Sequence, residues 1–417
     1  MTADRPTRLD RRAFLALAAG VGVSGCAVVR PGPAGAPTAS PPPAASPGTP
    51  SPGSPSPTSP GTASPSPSPT GTPRVRLGAP IGDGSQAPSP DPQPFQRPIT
   101  RLRPGERPPQ FVVFSWDGAS GNQDAILDYV RAARAVDGTQ TMFLSALYFL
   151  PKSKRTQYQP PRRPAGDSQI SFMSDATVRR TIIDISAAWA AGNEIGTHFC
   201  GHFSDPNGVP SWTSADWEQE LSQVDKLVTT WRTITGWTDI DPLPFDHRRE
   251  LVGGRTPELA GRATLLPVIA KRGWRYDSSG VRPRQAWPAK DRYGLYDMSM
   301  FQIPFRGGRI IPMDYNFLVV QAGGKTNGGS ASQRRTWKAE HADALRNALQ
   351  LCLRGNRAPL ILGNHMTPWV GGVYQENLLA LMTEFGRTPE VQLVSHRWLC
   401  DWLDAQDPAV LQALQKA

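Results

Sequence analysis

The stretch from residue 27 to residue 107 sets the first bound on what this 417-residue chain can fold into. It holds more than half of the 44 prolines, interleaved with Ser, Thr, Gly and Ala, and carries almost no large apolar side chain before Val75. Such a composition cannot bury enough surface to offset its ordering entropy, so a disordered, extended linker is expected. At ~3.1 Å per residue in a polyproline-like conformation, about 80 residues reach on the order of 250 Å. All sequence able to build a core lies beyond it, in a domain at 108–405 with a short tail at 406–417.

The N-terminus reads as an export signal. Arg11-Arg12 precedes the apolar run Ala13 to Val23, and Ser24-Gly25-Cys26 follows. A basic region, a short apolar core and small residues before a Cys make a lipoprotein-type secretory signal at 1–26. The run is too short to span a bilayer as a mature helix. Cys26 is then the lipidated N-terminus, which anchors the chain to the outer face of a bacterial cell membrane and lets the linker extend into the wall. The twin Arg, followed by Ala13-Phe14-Leu15, resembles a twin-arginine signal. The formal charge is +10, and the first 26 residues supply four Arg and two Asp, so the remainder keeps about +8. Basic residues are scattered and no nucleic-acid motif accompanies them. The excess fits weak attraction to anionic wall polymers, or simply solubility, and a monomer is expected.

Within the domain, strand-like and helix-like segments alternate. Strands are expected at Phe111–Trp116, 139–145, 193–198, 251–254, 275–278, 309–315, 358–365 and 391–394, with helices at 122–135, 177–191, 214–235, 258–272, 335–354 and 374–386. This alternation predicts an α/β fold with a parallel sheet, and the count of strands suggests closure into a barrel. Outside the cell an odd number of Cys after Cys26 leaves at least one free thiol. Cys352 and Cys400 fall in expected helices and are a possible pair, while Cys200 sits too close to its flanking His for an easy fourth ligand.

Six polar residues end or closely follow expected strands: Asp117, His198, Arg255, Asp277, Asp314 and His365. In an α/β barrel those ends converge on one mouth. His198 and His202 stand four apart and can face the same way. With Asp117 they form an N,N,O set for a divalent metal with a position left open for water. His365 is the candidate general acid, with Asp277 to orient and charge it. Arg255 suits a carboxylate ligand or developing negative charge. Trp116 and Trp369 are candidates to stack on sugar rings, or to pack in the core, and Asp314 either lines the cleft or caps a turn. His396 and His341 read as surface residues, and His247 as a loop residue.

The order Trp116-Asp117-Gly118, Glu194-Ile-Gly-Thr-His198-x3-His202, Arg255-Thr256-Pro257, Tyr276-Asp277-Ser278-Ser279 and Leu362-x2-His365 resembles the polysaccharide deacetylase family, carbohydrate esterase family 4 with its NodB-homology domain. The resemblance covers residues 108–405. It implies a distorted (β/α) barrel of about seven parallel strands that removes acetyl groups from N-acetylglucosamine polymers such as peptidoglycan or chitin-like glycans. It also implies that Asp117, His198 and His202 hold the metal, most commonly Zn2+, with Co2+ or another first-row ion possible. The family's first motif carries two adjacent Asp, a base that pairs with the Arg and then a ligand. In this alignment Trp116 stands in place of the base, which leaves Arg255 without its partner, and an indole N–H cannot accept a proton. Phe199 replaces a Ser or Thr. Glu258 replaces an aromatic residue and either supplies a carboxylate to the cleft or complements a helix dipole. Two readings follow: a metal-dependent hydrolase of N-acetylated glycans, or an impaired, carbohydrate-binding lipoprotein on the same scaffold. Amide hydrolysis on a non-glycan substrate uses the same chemistry.

Overall fold

The computed structural model describes residues 77–121 and 125–416, so the export signal, Cys26 and the linker up to residue 76 lie outside the described residues. Phe111-Val-Val-Phe114 is apolar throughout, as suits a strand covered on both faces. It starts β1 (Gln110–Ala119), which is buried along nearly its whole length. Joining it are β2 (Thr141–Leu144), β3 (Glu194–Thr197), β4 (Gly253–Gly254), β5 (Tyr276–Asp277), β6 (Tyr296–Asp297), β7 (Leu360–His365) and β8 (Val391–Leu393). Every pairing among these strands is parallel. The path runs β7-β1-β2-β3-β4-β5-β6, with β8 against the start of β1. Met313 bridges to Gly363 of β7. Seven strands on one parallel path, with helices between them, form the expected distorted (β/α) barrel.

The helices are α1 (Ala125–Arg134), α2 (Asp175–Ala190), α3 (Ser214–Thr229), α4 (Arg262–Lys271), α5 (Asp314–Ala322), α6 (Ala331–Arg354), α7 (Val373–Arg387), α8 (His396–Ala405) and α9 (Pro408–Lys416). Local caps fix several starts. Ser174 Oγ accepts from Thr177 N at 3.2 Å, and Thr213 with Asp216, then Ser330 with Gln333, form reciprocal capping boxes. α3 buries Trp217, Leu221, Val224, Leu227 and Val228 as one stripe.

Several expectations need correction. The helix expected at 214–235 breaks at Thr230, and a short turn at Trp231–Thr235 follows. Pro257 and the left-handed Glu258 and Leu259 delay α4 until after Gly261. The strand expected at 309–315 is a hairpin edge at Gly308–Ile310 paired with Ile303–Phe305, and Asp314 opens α5 instead. The tail carries α9. Residues 77–107, expected as linker, are laid against the domain: Leu243 N donates to Ser85 O at 3.0 Å, Ala87 N donates to Leu243 O at 2.9 Å, and Trp398 Nε1 donates to Arg97 O at 2.8 Å. Cys352 and Cys400 are both free and buried, packed in different clusters of the core. His247, His341 and His396 are buried rather than solvated.

Candidate functional site

Five strand ends meet at the barrel mouth. Asp117 of β1 lies directly opposite His365, the last residue of β7. His198 follows β3 and Arg255 follows β4, with Thr197 opposite Gly254 and Gly254 opposite Asp277. The register of β1 against β2 shifts between Asp117 and Ala119, at Gly118 with φ +68°. This is a bulge that re-aims the end of the strand.

Asp117 and Arg255 form a buried ion pair. Arg255 Nη1 donates to Asp117 Oδ1 at 2.8 Å, and the two side chains are 0% and 3% exposed. Two more of its five N–H donors are engaged, one on Nη2 with Ser278 Oγ at 2.8 Å and Nε with Ser278 O at 3.1 Å. Arg255 is thus fully enclosed, with its charge turned to Asp117 rather than to the open cleft. Burial works to raise the Asp117 carboxyl, but Arg255, with His198 and His365 beyond it, holds it below its ordinary value.

Trp116 is not in the cleft. It is fully buried, stacked on Tyr129 of α1 at 3.6 Å between ring centroids, and its Nε1 donates to Gln140 Oε1 at 2.6 Å. The expected role in stacking on sugar is withdrawn for this residue. The Arg partnership also realigns the first motif. If the resemblance to the two-Asp motif is kept, Asp117 would take its Arg-paired position and Gly118 the ligand position.

His198 Nδ1 donates to the Arg255 carbonyl at 2.8 Å, since a carbonyl can only accept, and this leaves Nε2 with its lone pair. Burial pushes its pKa down to about 3, so the ring is neutral. The His202 ring lies 5.1 Å away between centroids, tilted by 56°, and burial lowers its pKa too, against the pull of Glu258. The two imidazoles are adjacent. Asp117 turns Oδ1 to Arg255, and among the described residues no group of three His, Cys, Asp or Glu side chains is placed to hold a metal ion. The set Asp117, His198 and His202 does not fit a divalent metal.

His365 pairs with Asp314 rather than with Asp277. Asp314 Oδ1 lies 2.8 Å from His365 Nδ1, and Oδ2 accepts from the His365 backbone N–H at 2.8 Å. Asp314 is buried and the His365 side chain is 23% exposed. Burial alone would lower the imidazole pKa, but Asp314 outweighs it and the net shift is upward. Asp314 thus orients the His365 ring, the part expected of Asp277. Asp277 accepts from Ser279 Oγ at 2.7 Å and from Arg262, because β5 directs it toward α4. Trp369 is half-buried, 4.9 Å from the His365 ring and 5.6 Å from Tyr315 between centroids. Tyr315 escaped the sequence reading because it lay in a mispredicted strand. Ser278, inside the quoted Tyr-Asp-Ser-Ser motif, was visible but unassigned. It bonds Arg255 and lies 3.2 Å from His396 Nε2, which explains why His396 is buried.

No family model and no curated protein matches this sequence. Among solved structures, the chain is similar to a candidate polysaccharide deacetylase from Mycobacterium smegmatis, at 13% identity and a TM-score of 0.43, over 73% of this chain and 94% of that one. It is similar to a family 4 carbohydrate esterase from Streptomyces lividans solved with acetate, at 14% identity and 0.33, over 68% and 91%. It is also similar to a carbohydrate esterase family 4 pseudoenzyme from Bacillus anthracis, at 10% identity and 0.35, over 73% and 70%.

Proposed function

We propose that this chain is a carbohydrate esterase family 4-type hydrolase that removes acetyl groups from N-acetylated glycans, peptidoglycan or chitin-like polymers, outside the cell membrane. The observation that carries this reading is the pair of ends on β1 and β7. Asp117 is held ionised by Arg255, and directly opposite it His365 is held toward its protonated form by Asp314. Asp117 accepts the proton of a water attacking the acetamido carbonyl. His365, with Nδ1 bonded to Asp314, presents Nε2–H to the departing amine nitrogen. Trp369 and Tyr315 offer aromatic faces beside that acid for a sugar ring. A base held below its ordinary pKa has little driving force to take a proton, so slow turnover follows. The Arg11-Arg12 signal and Cys26 support a lipid-anchored location in the same reading.

A second reading, glycan binding without turnover, is favoured because no third ligand stands beside His198 and His202 among the described residues. Acetate released from N-acetylchitooligosaccharides and peptidoglycan fragments separates the two. Release abolished by Asp117→Asn and by His365→Ala supports the hydrolase. Glycan binding by calorimetry with no acetate from the unaltered chain replaces it with the binding reading for the glycans tried.

A further inference from the structure

α3 carries a carboxylate where its apolar stripe has no use for one. Glu220 sits between Trp217 and Leu221 on the buried face and is fully enclosed. A buried carboxylate persists only where it is hydrogen-bonded. Its bonds go to the short segment joining the two site histidines. Oε1 accepts from Cys200 N at 3.0 Å and Gly201 N at 3.2 Å, and Oε2 accepts from Tyr158 Oη–H at 2.8 Å. Gly201 N also reaches Tyr158 Oη at 3.1 Å.

The joining segment is not regular structure, and it is held in a conformation the chain does not choose by itself. Phe199 and His202 both have left-handed φ, 59° and 56°, which non-glycine residues keep only where their surroundings over-determine it. At Gly201 a Cβ would lie 2.4 Å from the Phe203 ring and 2.7 Å from Tyr158 Oη, so only glycine lets the backbone approach that close. The carbonyls are fixed as well. Phe199 O accepts from Ala146 N at 2.7 Å, and Gly201 O accepts from Gln169 N at 2.9 Å. Burial pushes Glu220 up to about 7, while Tyr158 and the two amides pull the other way.

We propose that Glu220, with Tyr158, is the positioning residue of the His198–His202 loop: it ties the two amides between the histidines and so sets how their rings face the barrel mouth. This deepens the glycan-site reading and rests on it only for the meaning of the site, because the geometry can be measured without turnover.

The test uses the full chain with Glu220→Leu, Glu220→Gln and Tyr158→Phe. Hydrogen exchange is followed by mass spectrometry in a peptide spanning 198–203, with peptides spanning 111–116 and 358–364 as controls. The histidine ring resonances are followed by NMR. In Glu220→Leu, exchange at 198–203 is expected to rise by about 10-fold or more with the controls unchanged. The His202 ring signals shift, and Glu220→Gln restores both because its amide oxygen still accepts. If Glu220→Leu does not fold, Tyr158→Phe carries the test through faster exchange in the same peptide. Exchange and ring signals identical to the unaltered chain in Glu220→Leu, or in Tyr158→Phe where Leu fails, overturn the proposal. Absence of acetate release from every variant and from the unaltered chain removes the hydrolase reading and leaves this result standing.

Discussion

Strand parity decides the roles of positions 116 and 117. Successive side chains of a strand point to opposite faces. Val112, Phe114 and Trp116 share one cluster of the core, while Phe111 and Val113 share another, and Asp117 continues the second series into the mouth. That parity was available in Phe-Val-Val-Phe-Ser-Trp-Asp, but anchoring the motif on Asp-Gly obscured it. The Arg255 contact joins residues 138 apart in the chain, which no local pattern in the sequence reveals. The pair is also a stability element. Asp117→Ala leaves a buried guanidinium unpaired and is expected to cost about 3–5 kcal/mol, whereas Asp117→Leu with Arg255→Met costs much less. Urea unfolding of both variants checks this, and equal losses would show that the pair itself contributes no coupling. At the next residue, a Cβ on Gly118 would meet Ser145 Oγ and Tyr148 only at 3.7 Å, and Ser145 Oγ is buried without a hydrogen-bond partner among the described residues. Asp tolerates left-handed φ better than most residues. Gly118→Asp is therefore expected to create cobalt binding, seen as visible ligand-field absorption, that the unaltered chain lacks. Strong tetrahedral cobalt absorption in the unaltered chain would show that the site accommodates a metal after all.

At the scale of elements, α5 matters more than its sequence suggested. Read as the end of a strand, Asp314 was one more polar residue at the mouth. As the first residue of a helix it sits where a negative charge is favoured, and from there it grips both the backbone and the ring of His365. The strand–helix boundary was hidden because Ile310-Ile311-Pro312-Met313 is as apolar as a strand and the hairpin before it is short. The consequence is a pH window. Asp117 is held below its ordinary 3.8 and His365 above its ordinary 6.5. The acid limb of activity is therefore expected below pH 3.8 and the alkaline limb above pH 6.5. The stability signs differ in the same way. The Asp117 contribution is present above its unfolded pKa and is lost as pH falls through the folded one. The His365 contribution is complete below pH 6.5 and is lost as pH rises through its raised folded pKa. Asp314→Asn should bring the alkaline limb back toward 6.5. NMR titration of the His365 ring measures this directly, and an unmoved titration would remove Asp314 as the cause.

For the whole molecule, composition read the order of the domain well and its edge poorly. The alternation of elements, the barrel and the gathering of strand ends at one mouth follow from periodicity and topology, which are local signals repeated many times. The segment 77–107 has no such signal. Its order comes from partners far away in the chain, as with Trp231 Nε1 donating to Ser85 O at 2.8 Å, Gln93 Nε2 reaching Trp189 O and Asn193 O, and Leu102 N donating to Gln406 Oε1 at 2.9 Å. The bonds that hold it run to the domain rather than along the strap, so it keeps its place without secondary structure of its own. This strap touches the end of α2, the segment before β4, and α8. A chain beginning at residue 108 therefore leaves Trp231, Leu243 and Trp398 without hydrogen-bond partners, whereas one beginning at residue 77 keeps them. With each lost bond worth about 0.5–1.5 kcal/mol, the shorter chain should lose at least ~2 kcal/mol. At about 2–4 °C per kcal/mol for a domain somewhat smaller than this, that lowers its Tm by roughly 5 °C. Thermal unfolding of the two chains side by side decides it, and midpoints within a degree of each other would mean that the strap lies on the domain without supporting it.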